Sequence, residues 1–72
     1  MTNFVAYIEY DPETKLYVGT IPGIAGAHSQ GATLDELNAN LREVLELCLA
    51  EYQGSPQDLP HFVGVQTVTL GA

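Results

Sequence analysis

The chain has 72 residues, 46 % of them hydrophobic, one cysteine and a net charge of −7. That length suits a single domain over 1–72, and the hydrophobic content is too high for a disordered chain. One cysteine excludes an intrachain disulfide, and Lys15 and Arg42 are too few cations for the phosphate contacts that nucleic-acid binding requires.

A chain this short buries only about 60 to 65 % of the surface exposed when unfolded, so its core needs reinforcement. Cys48, His28 and His61 do not have the spacing of zinc ligands. Self-association, as a dimer or higher homo-oligomer, is the expected remedy. No basic start with a following apolar run marks a signal peptide, and no apolar run approaches the roughly 18 residues of a membrane span. With its one cysteine on an apolar helix face, the protein is expected in the cytoplasm. The acidity either steers a basic protein partner or simply maintains solubility.

In chain order, residues 3–10 (NFVAYIEY) alternate as a strand. Asp11-Pro12-Glu13-Thr14-Lys15 reads as a turn. Residues 16–21 (LYVGTI) complete an antiparallel hairpin, with Gly19 marking a bulge or a close neighbour. Pro22 to Gly26 break the pattern, and residues 27–30 can form a third short strand. The longest signal is 33–52, TLDELNANLREVLELCLAEY. Thr33 and Glu36 have the spacing of a capping box, and Asp35 and Glu36 complement the helix dipole. Leu34, Leu37, Leu41, Val44, Leu45, Cys48 and Tyr52 share one face at 100° per residue. The helix would span roughly 28 Å, with Gly54 and Pro56 placed to end it. After a loop over 53–60, residues 62–70 (FVGVQTVTL) read as a last strand of mixed alternation. The expected fold is α+β in the order β-β-β-α-β, a mainly antiparallel sheet with one long helix on one face.

Tyr17, Ile21-Pro22, Gly26, His28-Ser29-Gln30-Gly31, Thr33-Leu34 and Glu36 stand in an ordered pattern, followed by Asn40-Leu41-Arg42-Glu43. In this combination the chain resembles the HicB antitoxin family of bacterial type II toxin–antitoxin systems. Ala25, Ala27 and Leu37 depart from it where Pro, Cys and Ala are common. The resemblance implies a pared-down ribonuclease H-like core. It also implies a small basic HicA-type ribonuclease toxin as partner, its active site covered by the antitoxin. The C-terminal DNA-binding module of longer members has no counterpart in this sequence, so operator binding is not expected from this polypeptide.

Catalysis is not expected. Gly23, Gly26 and Gly31 could cradle a phosphate ahead of the helix, but no Lys follows and Asp35 and Glu36 would repel it. A role in turns is the plainer reading. His28 and His61 read as surface or packed side chains, and Cys48 as an inert buried thiol. Glu9, Asp11 and Glu36 could clamp a metal if they converged, with a solvated acidic surface as the alternative. No cofactor or metal is assigned. The acidic helix face of Asp35, Glu43 and Glu46 is either a docking surface or a solvent face. Tyr7, Glu9, Tyr17 and Gly19 are read as the hairpin's second face. Glu9, Asp11 and Tyr17 are the expected toxin contacts. Leu47, Val68 and Leu70 are the expected oligomer contacts. A stand-alone oligomeric binding module without a toxin is the alternative function.

Overall fold

The computed structural model describes residues 3–52, 54 and 59–71. Strand β1 (Tyr7–Asp11), strand β2 (Leu16–Thr20) and strand β3 (His28–Gly31) form an antiparallel sheet in the order β1-β2-β3. Helix α1 (Leu34–Glu51) follows. It packs across β3 and the adjoining part of β2 and does not reach β1. Among the described residues, no helix is long and apolar enough to cross a membrane.

Each element has a local cause. The hairpin turn is closed by Asp11, whose Oδ1 accepts the Glu13 N–H at 2.9 Å and whose carbonyl accepts the Lys15 N–H at 2.8 Å. Lys15 completes the turn in the left-handed region, at φ 61°. Asp11 then faces Leu16, which sets the register Tyr10↔Tyr17, Glu9↔Val18 and Ile8↔Gly19. Between β2 and β3 the turn doubles back through Gly23 and Gly26, both at positive φ, and the Ile21 N–H bonds the Ala27 carbonyl at 2.8 Å. The Thr33 hydroxyl caps α1 by accepting the Glu36 N–H at 3.1 Å. The helix ends when Tyr52 turns to extended backbone, before Gly54 is reached.

The core is small. Ile21, Ala27, Leu37 and Leu41 are its buried hydrophobic residues among those described. Leu37 and Leu41 sit where the sheet has no side chains to interfere. A Cβ on Gly19 would lie 2.8 Å from Leu41 Cδ1, and one on Gly31 would lie 2.6 Å from the Leu37 backbone nitrogen. The close-neighbour reading of Gly19 is therefore the correct one, within a regular ladder rather than a bulge. Asn40 Nδ2 donates to the Gln30 carbonyl at 2.9 Å and ties the helix to β3.

Two expectations are corrected. Residues 62–70 form no strand. Residues 59–71 make no hydrogen bond within the described chain, so the expected final strand is not formed, while the three antiparallel strands and the long helix make the small α+β fold that was expected. A strand exists only through the ladder of a neighbour, and here none is offered. Strand β1 also begins at Tyr7 rather than Asn3, because its partner β2 ends at Thr20 opposite Tyr7. Pro56 and most of the expected 53–60 loop fall outside the described residues.

Candidate functional site

Because side chains alternate across a strand and paired residues share a face, the glycines that meet α1 orient the whole sheet. Gly19 and Gly31 point to the helix. Ile8 and Tyr10, opposite Gly19 and Tyr17, are on that same side. Tyr7, Glu9 and Asp11 of β1 are therefore on the other face, beside Leu16 and Val18 of β2 and Gln30 of β3. No described helix or strand covers that face, and at its Tyr7 end Phe62, Gly64 and Val65 share a cleft with it.

This open face is the candidate site. It places exposed Tyr7 and Glu9 next to half-buried Leu16, Val18 and Asp11. Glu9 has no bonding partner among the described residues, while Asp11 keeps one oxygen in the turn bond to Glu13. A shallow depression lined by Glu9, Tyr10, Asp11, Pro12 and Val18 lies along its edge. The chemistry is that of a contact surface: an aromatic ring, two aliphatic side chains and carboxylates that can receive cations.

The expected toxin contacts do not share one face. Glu9 and Asp11 lie on the open side, but Tyr17 lies on the helix side, its ring 5.0 Å from that of Tyr10 at 60°. Grouping Tyr7 and Glu9 with Tyr17 and Gly19 on one hairpin face is likewise corrected. Asp11 pairs with Leu16 across an even-length turn, so odd-numbered residues of β1 share a face with even-numbered residues of β2. That pairing is also what brings Leu16 and Val18 into the site, which periodicity alone did not do.

Glu36, in the first turn of α1, does not converge with Glu9 and Asp11 on β1, which the helix never reaches. Among the described residues no three metal-ligating side chains come together. His28 is exposed at the start of β3, and His61 is exposed after Pro60. Cys48 is half-buried rather than enclosed, and with Gly23, Ile24 and Ala25 it lines a cleft between the turn and α1. Asp35, Glu43 and Glu46 are exposed on α1, and Glu46 stands 3.9 Å from Arg42. Leu47 is exposed on α1, and Val68 and Leu70 are exposed on the C-terminal segment.

Comparison with known proteins gives relatives that match almost end to end. A UPF0150 protein of Thermotoga maritima is 48 % identical over 67 residues, covering 93 % of this chain and 88 % of its own length. UPF0150 proteins of Synechocystis and Archaeoglobus fulgidus are 42 % and 40 % identical over 67 residues, covering 93 % of both chains in each case. No family model matches, and no solved structure does. With identities of 40 to 48 % across 93 % of its length, the chain belongs to the UPF0150 family.

Proposed function

We propose that this UPF0150 protein is a HicB-like antitoxin: it binds a small basic ribonuclease toxin of the HicA type and neutralises it by covering its active site. The observation that supports this reading is the uncovered sheet face, with Glu9 and Asp11 set among Tyr7, Leu16 and Val18. A ribonuclease must present cations to RNA, and a face with carboxylates among apolar side chains complements such a surface. The net charge of −7 steers the encounter. The chain acts by occupancy, without catalysis, cofactor or direct contact to nucleic acid, and works in the cytoplasm where the toxin's RNA is found.

The test mixes the protein with the HicA-type protein of its own genome, measuring affinity by calorimetry and RNA cleavage in parallel. Stoichiometric binding with loss of cleavage is expected. Replacing Glu9 and Asp11 together by Lys should weaken binding by about 10- to 100-fold. Unchanged affinity in that variant would remove the open face from the contact, and absence of binding by the parent chain would remove the toxin.

A second reading, a stand-alone oligomeric binding module with the same fold, is favoured by a different observation. The apolar residues of the C-terminal segment are exposed and uncharged, and so are unsuited to a basic partner.

A further inference from the structure

Residues 62–70 carry five large hydrophobic side chains and no charge, in a chain whose net charge is −7. Val63 is 96 %, Val68 80 % and Leu70 91 % exposed. The segment has an anchor: Pro60 packs on Gly23, where an added Cβ would meet its ring at 3.0 Å. Beyond it, Phe62, Gly64 and Val65 run beside Val5, Ala6 and Tyr7, lining a common cleft without bonding to them. Beyond Gln66 the segment is an exposed arm, with open space around Gly71. The radius of gyration is 14.1 Å, against about 11 Å for a compact chain of this length.

Strand β1 has the complementary need. It is an edge strand of the sheet, its outer main-chain groups unpaired among the described residues, and Ile8 and Tyr10 on its helix side are exposed because α1 stops short of them. The opposite edge is less available, since α1 packs over β3 and Asn40 occupies the Gln30 carbonyl.

We propose that the arm of one molecule adds as a fourth strand to the free edge of β1 in a second copy, reciprocally, so that Val68 and Leu70 extend the apolar strip of Ile8 and Tyr10. Val68 and Leu70 are two residues apart, as are Ile8 and Tyr10, so both pairs project to one face of an extended sheet. Thr67 and Thr69 then turn to the open face. The arm's lack of charge argues against a basic partner and for its own kind. The exchange also enlarges a core whose buried hydrophobic residues, among those described, number four. It stands whether or not a toxin binds the open face.

The experiment uses the full chain with Cys48→Ser. Sedimentation equilibrium of this protein should give twice the monomer mass. Val68→Asp with Leu70→Asp should weaken the dimer by about 100-fold or more while far-ultraviolet circular dichroism retains the helix. As a second readout, Ile8→Cys protein is mixed with separately tagged Val68→Cys or Leu70→Cys protein and oxidised. A disulfide joining the two tags in at least one mixture is expected. A monomeric parent, a dimer that gives no such bond in either mixture, or a chain carrying Ile8→Cys together with Val68→Cys or Leu70→Cys that closes only within itself would each overturn the exchange.

Discussion

At the scale of single residues, the two glycines beneath α1 differ in what would replace the empty space. A methyl group on Gly31 would press on the Leu37 backbone at 2.6 Å, and helix backbone cannot step aside alone. On Gly19 the nearest atoms belong to leucine side chains, which can rotate. Gly31→Ala is therefore expected to cost at least about 2 kcal/mol and Gly19→Ala about 1 kcal/mol, read by urea denaturation. Equal costs would mean that the helix shifts freely over the sheet. Lys15 holds a left-handed backbone that a side chain disfavours. Lys15→Gly should raise stability by roughly 0.5 to 1 kcal/mol in the same assay, since relief of strain exceeds the entropy glycine adds to the unfolded chain.

At the scale of elements, α1 is specified locally and the strands are not. The Thr33 cap, the acidic first turn and the apolar stripe all act within a few residues, so the helix was legible from Leu34 to within one residue of its end. Thr33→Ala should remove about 1 kcal/mol, visible as a lower thermal midpoint of the helical signal. The stripe is filled unevenly. Leu37 and Leu41 are buried against the sheet, whereas Leu34 is exposed and Val44, Leu45 and Cys48 are half-buried. Periodicity marks which side of a helix is apolar, but how much of that side is covered depends on the width of sheet beneath it. The hairpin's existence was legible from its turn chemistry, yet the pairing of faces was not. It follows from Asp11 meeting Leu16, a register that decides whether Tyr17 joins Glu9 or opposes it.

At the scale of the whole molecule, four buried hydrophobic residues among those described must support an 18-residue helix and three short strands. If self-association supplies the rest, stability becomes a function of concentration. The thermal midpoint should rise on a hundredfold increase in protein, measured by scanning calorimetry, because mass action favours the folded assembly. A midpoint independent of concentration would mean that the small core suffices alone. Under the two proposals, the carboxylates of the open face would serve the basic partner and the uncharged arm the second copy.

The sequence by itself determined the elements whose causes are short-range: the capped helix, the Asp-Pro turn, the hairpin and the third short strand that precede the helix. It also singled out Gly19 as a bulge or a point of close approach, and the structure decided for close approach. Only the tertiary structure decided which face of the sheet α1 covers, that β1 lies beyond its reach, and that residues 62–70 remain an unpaired arm. These depend on pairing between distant segments. A strand's pattern describes what it could pair with, while the pairing itself is made by a neighbour that the strand's own residues do not contain.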